Sequence, residues 1–325
     1  MQIMIVDTSS TPTTRRATKR PAGVAGPGAT RKRRLPSNRR KQLAFIIPAA
    51  VFLAIFSFYP MLQLLRMSVS AVSSATLNQP WNFIGFDNFT KGAEQGDLGT
   101  AFGNTTIFVL MVTVIGLVGG LVAAILLSSS TRGAAFVLGL MVFIWALPPV
   151  VNGSVWKFLL GDSGLFNSVL TGLGLTQSAV PFLYDERFAL MSVAIVNSWA
   201  VIPFNALVFR AAILGIPIET FEAARIDGAS RWQEIRHMIV PAVRPTTLVL
   251  AVLTIVYAFR SFDFIYVMTY GGPGTATNTL PFLSYLQAFV RYDFGLGAAT
   301  AVISVLLVLV LAFIYARSVR SEEAR

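Results

Sequence analysis

Six long apolar stretches constrain this chain more than any other feature. Each holds about twenty mostly apolar residues, and an α-helix of that length crosses the roughly 30 Å hydrocarbon core of a bilayer. Only 13% of the 325 residues are charged, whereas soluble domains carry about 25%. The sequence therefore predicts an all-α membrane protein with six transmembrane helices, at Leu43–Leu65, Thr105–Leu127, Ala134–Val155, Phe188–Leu207, Thr246–Met268 and Ala298–Ala316.

The basic residues predict the orientation of these helices. Eleven of the 26 Lys and Arg lie between Arg15 and Lys41, in a segment rich in Pro, Gly, Ser and Thr that has few residues able to build a core. We expect residues 1–42 to be a disordered cytoplasmic tail beside anionic lipid, not a nucleic-acid-binding element. Residues 318–325 form a second cytoplasmic tail. With both termini inside a bacterial-type cell (inner) membrane, only six basic residues face outward: Arg66, Lys91, Lys157, Arg187, Arg260 and Arg291.

Several kinds of site are excluded by residues that the sequence lacks. It has no cysteine and one histidine, so thiolate sites and His-rich metal centres are ruled out. It has no G-x-x-x-x-G-K-[ST] phosphate loop and no HExxH or GxSxG motif. We expect no enzymatic activity, metal or cofactor in this chain.

Helix breakers within the spans indicate a polytopic bundle with a pathway, and not a simple anchor. Prolines fall in the first, third and fourth spans, at Pro48, Pro60, Pro148, Pro149 and Pro203. Neighbouring helices or water can satisfy the backbone groups that such kinks free. Gly116 and Gly120 have the spacing that allows two membrane helices to approach closely.

A charged insert separates the fourth and fifth spans and faces the cytoplasm. After Pro217, the pattern predicts a helix over 218–226, a turn at Gly228, and a second helix that begins at the S-x-x-Q capping box of Ser230 and Gln233 and ends at Pro241. An amphipathic helix on the lipid surface would fit this pattern. Alternating acidic and basic residues instead favour docking into a groove on another protein. Glu234 lies outside the E-A-A…G core, so we expect charge reversal there to be milder than at Glu222.

The insert resembles a known motif. "EAARIDGASRWQEIRHMIVP" is similar to the EAA loop of permease subunits in binding-protein-dependent ABC importers: Glu222, Ala223, Ala224, Gly228 and Pro241 match its spacing, while Met238 and Val240 replace the usual Ile and Leu. "FIGFDNF" (83–89) resembles a second segment of that family. "FDFIYVMTYGGPGTATNTL" (262–280) resembles the sugar-type subunits related to the maltose and glycerol-phosphate permeases. The resemblance covers residues 43–317, and the basic tail lies outside it.

This resemblance implies a type I ABC importer permease fold that forms half of a translocation pathway. The implied partners are a second homologous permease subunit, two ATPase subunits that carry ATP and Mg, and an extracytoplasmic solute-binding protein. The coupling helices, at about 217–241, would grip the ATPase. The residues implied in that coupling are Glu222, Ala223, Ala224, Asp227, Gly228 and Pro241.

Polar and aromatic residues within the later spans are the candidates for the substrate pathway. They are Asn152, Asn197, Trp199, Tyr257, Arg260, Asp263 and Tyr266. Ionisable residues inside a membrane are functional candidates. Arg260 and Asp263 could equally be a structural i, i+3 pair, and the Trp and Tyr residues could be interfacial anchors.

Two alternatives stay open at this point. The solute could be other than a sugar, such as glycerol-phosphate or its diesters. A channel or secondary carrier without an ATPase would need a pathway lined by acidic residues or His. Asp263 is the only acid predicted within a span, which disfavours that class.

Overall fold

A computed structural model describes residues 39–128 and 132–323 of the chain. Its contacts divide the chain into two units, Met1–Ala54 and Ile55–Arg325. Most of the predicted basic tail, residues 1–38, lies outside the described residues. In the first unit, helix α1 runs over Arg39–Leu53 and contains Pro48. The helix therefore begins at Arg39, inside the segment 1–42 that the sequence predicts as a tail.

The second unit is built almost entirely from helices. A π-helical segment, Ala54–Phe58, begins at the last residue of the first unit and leads into α2 (Tyr59–Ser68). A two-stranded antiparallel ribbon follows, β1 (Ser70–Ala71) and β2 (Asn82–Phe83), with Ser70 opposite Phe83. The next helices are α3 (Asp87–Glu94), α4 (Asp97–Leu126), α5 (Arg132–Ala146), α6 (Pro149–Leu159), α7 (Leu165–Gly172) and α8 (Ala189–Leu214).

The insert and the last spans complete the second unit. The insert contains α9 (Ile218–Ile226), α10 (Arg231–Glu234), a π-helical segment over Ile235–Ile239, and α11 (Val240–Ala242). After it come α12 (Arg244–Phe259), α13 (Asp263–Met268), α14 (Leu280–Tyr285) with a π-helical continuation over Leu286–Val290, and α15 (Phe294–Glu323). Helix α15 continues past residue 317, into the segment that the sequence predicts as a second tail.

Four of the six predicted spans are single helices long and apolar enough to cross a membrane. They are Ile46–Ser68, Asp97–Leu126, Ala189–Leu214 and Phe294–Leu311. The other two candidates are helix pairs that bend sharply at a short break, Arg132–Ala146 with Pro149–Leu159 and Arg231–Ala242, in the insert, with Arg244–Phe259. Six crossings follow if each bent pair counts as one span.

The third predicted span, Ala134–Val155, is wrong as a single helix. Helices α5 and α6 meet at an angle of 102°, because the chain breaks at Leu147 and Pro148. Proline has no N–H to donate and disfavours helical backbone at the residue before it. Pro149 then becomes the first residue of α6, where the missing N–H costs nothing.

The fifth predicted span, Thr246–Met268, is also wrong as one helix. Helix α12 ends at Phe259, and a tight turn in which Ser261 N donates to Ala258 O (3.1 Å) separates it from α13. The turn lets α13 bury Phe264, Ile265 and Met268 in the core. At its other end, α12 meets the helical residues Arg231–Ala242 at 66°.

Two of the π-helical segments directly precede prolines. Ala54–Phe58 ends two residues before Pro60, and Ile235–Ile239 ends two residues before Pro241. A proline ring clashes with the carbonyl four residues earlier in an α-helix, and a wider π turn relieves that clash. The prediction that Pro241 ends its helix is wrong by one residue, because helical structure continues to Ala242.

Helices α4 and α8 pack against each other at very close range. A Cβ atom added at Gly120 would lie 2.5 Å from Asn205 Cβ, and one added at Gly116 would lie 2.7 Å from Val201 Cγ1. The close helix contact predicted from the glycine spacing is therefore confirmed. Apolar side chains fill the core on both sides of this contact, with Phe108 and Phe264 toward one end and Phe209 toward the insert.

Candidate functional site

The first helix of the insert ends in a turn that requires glycine. Gly228 has φ +81°, a conformation that L side chains rarely adopt. Its N–H donates to Arg225 O (3.1 Å), and the next N–H, of Ala229, donates to Ala224 O (2.9 Å). These two bonds form a Schellman motif, which satisfies the last carbonyls of the helix. The predicted helix 218–226 and the glycine turn are both confirmed.

The second helix begins at the predicted capping box. Gln233 N donates to Ser230 Oγ (3.4 Å), and Ser230 N donates to Gln233 Oε1 (2.7 Å). This reciprocal pair satisfies two backbone donors at the start of the helix. Two helices of the insert are therefore joined by a reversal of three residues, Asp227–Ala229, that is fixed at both ends.

An ion pair spans this reversal. Arg225 Nε lies 3.0 Å from Glu234 Oε1, and the Glu234 side chain is 9% exposed whereas that of Arg225 is 58% exposed. Glu234 therefore faces the protein interior and holds Arg225, although it lies outside the E-A-A…G core. Sequence spacing could not reveal this burial, because it arises from the packing of the second helix against the rest of the protein.

The insert rests on the transmembrane helices through a small apolar contact. Phe221, Ile235 and Ile239 pack against a cluster that includes Phe209 and Ile213 of α8. Beside this contact lies an open cleft of about 730 Å³, which also reaches Ile125 near the end of α4. The insert is thus a projection at one end of the helix bundle, attached along one side.

The residues of the EAA pattern lie on the outer surface of this projection. Glu222, Ala223, Asp227 and Gly228 are exposed, as is Pro241, and Ala224 is half-buried. Two large apolar side chains lie among them, Ile226 (86% exposed) and Trp232 (68% exposed). A surface that combines exposed apolar side chains with charges of both signs has the composition of a protein-docking surface. Sequence reasoning did not single out Ile226 or Trp232.

Asn197 is the most deeply buried of the predicted pathway residues. It is fully buried on α8, and its Nδ2 donates to Ser261 Oγ in the break between α12 and α13. Its Oδ1 has no hydrogen-bond partner among the described residues. A second polar pair lies two turns along α8, where Asn205 Nδ2 donates to Thr254 Oγ1 (3.2 Å). Polar contacts thus join α8 to α12 at Thr254 and to the break after α12 at Ser261.

A cavity of about 230 Å³ lies beside these contacts. Its walls include the predicted residue Tyr257, together with Thr254 and two aromatic residues that sequence reasoning missed, Trp145 and Phe204. The rings of Trp145 and Phe204 stack with centroids 5.6 Å apart. The signal that the sequence offers for this site is an aromatic and a hydroxyl residue, Tyr257 and Thr254, within an apolar span.

The other predicted pathway residues lie in different surroundings. Asn152 is buried in α6. Trp199 contacts Trp156 edge to face at 6.0 Å, and Tyr266 belongs to an aromatic cluster with Phe262 and Tyr285. Arg260 is exposed and Asp263 is half-buried. The break in the helix separates Arg260 and Asp263, so the alternative of a structural i, i+3 pair on one helix does not apply.

Comparison with known proteins decides the family. Residues 116–322 match the model of the family described as binding-protein-dependent transport system inner membrane component. The chain belongs to this family. The matched region includes the insert and all the elements from the second half of α4 to α15. The protein is therefore a multi-pass membrane component of a transport system, and its family is one of permeases and not of enzymes.

Relatives of this permease extend the match to nearly the whole chain. The diacetylchitobiose uptake system permease protein NgcF of Streptomyces coelicolor is 32% identical over 93% of this chain and 88% of its own. A probable ABC transporter permease protein of Pyrococcus horikoshii is 30% identical over 84% and 93%. The trehalose/maltose transport system permease protein MalF of Thermococcus litoralis is 28% identical over 83% and 90%.

A solved structure confirms the predicted fold. The crystal structure of a bacterial ABC transporter involved in the import of the acidic polysaccharide alginate superposes with a TM-score of 0.75 at 23% identity, and the match covers 87% of this chain and 96% of that one. This likeness shows the architecture of a type I importer permease.

Proposed function

We propose that this permease forms one half of the translocation pathway of an ABC importer for a saccharide. The observation that carries the proposal is the insert, whose two helices are held by a Schellman turn and a capping box and present the EAA residues on an exposed face. A rigid projection of this kind transmits movement between the membrane helices and a protein docked on it.

The docked protein is an ATPase subunit. The chain itself has no phosphate-binding loop, so ATP and Mg bind to two partner ATPases below the membrane. A second homologous permease supplies the other half of the pathway, and a solute-binding protein delivers substrate from outside. The coupling residues are Glu222, Ala223, Ala224, Asp227, Gly228 and Pro241. This arrangement places the insert and both termini in the cytoplasm.

The assignment of a saccharide rests on two supports. Relatives named for diacetylchitobiose and for trehalose/maltose uptake match over most of this chain. The cavity at Tyr257 is lined by Trp145, Phe204 and Thr254, and aromatic faces with neighbouring hydroxyl and amide groups are the chemistry that binds sugars. The candidate hydrogen-bonding amides of α8 are Asn205, which is bonded to Thr254 in the cavity wall, and Asn197, whose Oδ1 has no partner among the described residues.

Purification of the intact complex tests the proposal. The tagged permease, isolated from its own membranes, should carry a second permease and an ATPase. After reconstitution in liposomes, its ATPase activity should rise when the binding protein is loaded with maltose, trehalose or diacetylchitobiose. Stimulation by glycerol-phosphate alone would contradict the saccharide assignment, and uptake without any bound ATPase would contradict the importer.

A further inference from the structure

Helix α9 is held in place by few contacts of its own. None of its residues is buried, and Phe221 is its half-buried contact with the apolar cluster at the base of the insert. The second helix of the insert, by contrast, buries Glu234 and Ile239. The position of α9 therefore depends on how it is attached to the second helix.

Two links join α9 to the second helix. The first is the backbone turn at Gly228. The second is the ion pair between Arg225, in the last turn of α9, and Glu234, in the first turn of the second helix. Each charge lies at the helix end where the helix dipole favours it, a cation at the carboxyl end and an anion at the amino end.

We propose that Arg225 and Glu234 act as a brace that fixes the angle between the two helices of the insert. They are positioning residues, because they set where Glu222 and Asp227 are presented and do not themselves form the docking surface. The proposal rests on the proposed coupling function and adds residues outside the EAA pattern to it. A turn alone acts as a hinge. When an ion pair between residues nine positions apart in the chain also links the two helices, they form one rigid body.

The burial of Glu234 makes the two sides of the brace unequal. Removal of Arg225 leaves a carboxylate with 9% exposure and no other ion-pair partner among the described residues, and a buried charge without its partner is strongly unfavourable. The change Glu234→Gln is different, since the amide oxygen still accepts a hydrogen bond from Arg225 and no charge is stranded. The asymmetry predicts which of the two substitutions uncouples the transporter.

Ligand-stimulated ATPase activity of the reconstituted complex measures this effect. The probe is the binding protein loaded with whichever of maltose, trehalose or diacetylchitobiose stimulates the unmodified complex. Arg225→Ala should lower the stimulation about tenfold, because an unpaired buried charge displaces the helix. Glu234→Gln should keep it within about twofold, because the hydrogen bond survives. Equal stimulation in the Arg225→Ala and unmodified complexes would overturn the brace.

A covalent replacement separates a brace from direct recognition of Arg225 by the ATPase. The chain has no cysteine, so Arg225→Cys with Glu234→Cys gives a single thiol pair in this chain that a short bifunctional reagent can join. The unlinked double variant should be uncoupled, and the linked form should recover stimulation. If linkage restored nothing, the ATPase would be reading the Arg225 charge itself, and the proposal would be wrong.

These results also separate this proposal from the coupling function on which it rests. If the unmodified complex showed no ligand-stimulated ATPase activity, the proposed function would fail before the brace was examined. If the unmodified complex responded and all the variants responded equally, only the brace would fail.

Discussion

At the scale of single residues, Gly228 shows how one backbone angle controls the shape of the insert. Its φ of +81° reverses the chain, and a Cβ placed there would have no heavy atom within 4 Å. Space is therefore available for a side chain, and the constraint comes from the backbone conformation alone. This distinction predicts which substitutions the turn tolerates.

Gly228→Val should uncouple the transporter. A β-branched residue at positive φ costs on the order of 1–3 kcal/mol, and the turn can avoid that cost by changing the angle of the second helix. Asn tolerates this conformation better than other non-glycine residues, so Gly228→Asn is the matched control. We expect normal membrane insertion of both variants and loss of ligand-stimulated ATPase activity in the Val variant. Full stimulation of Gly228→Val at normal expression would show that the turn does not set the coupling geometry.

At the scale of helices, the contact between α4 and α8 depends on glycine for a different reason. The space for a Cβ at Gly120 is already filled by Asn205 Cβ at 2.5 Å and by the backbone N of Ala206 at 3.2 Å. Backbone atoms cannot move aside as a flexible side chain can. An added methyl group must therefore push the two helices apart.

Gly120→Ala should destabilise the protein, although alanine favours helices. Overpacking costs about 1–3 kcal/mol, which exceeds the roughly 0.5–1 kcal/mol that alanine gains over glycine within a helix. The control is Gly139→Ala in α5, where a Cβ would meet no atom within 4 Å, and this change should be neutral or stabilising. Tryptophan fluorescence during heating of the detergent-solubilised protein measures both. A midpoint for Gly120→Ala at or above that of Gly139→Ala would contradict the tight contact.

The helices differ in how much of their structure the sequence could predict. The capping box at Ser230 and the turn at Gly228 were predictable, because their hydrogen bonds join residues close in the chain. The break before Pro148 was signalled by proline, but its 102° angle depends on tertiary packing. The break after Phe259 had no such signal, since the apolar run continues through it. The burial of Glu234 is likewise a product of tertiary packing.

At the scale of the whole molecule, charge is distributed unequally between the two ends of the bundle. At the end where α4 begins, basic residues are held by specific partners: Lys91 pairs with Asp293 (2.6 Å), Arg291 with Asp97 (3.2 Å), and Arg66 lies over the Trp81 ring at 5.1 Å. The end that carries the insert holds Arg132, Arg210, Arg231, Arg236 and Arg244 in addition to Arg225.

This asymmetry predicts the orientation of the protein in the membrane. An excess of Lys and Arg keeps a segment on the cytoplasmic side, so the insert and both termini should face inward, and residues 70–103 should face outward. Alkaline phosphatase folds to its active form only outside the cytoplasm. A fusion after Asp97 should therefore be active, and a fusion after Ser230 should be inactive. Each fusion needs a β-galactosidase counterpart at the same site, which should show the opposite activity and so separates orientation from poor expression. Strong phosphatase activity at Ser230 would place the insert outside, where it could not reach an ATPase, and would overturn both the orientation and the proposed coupling.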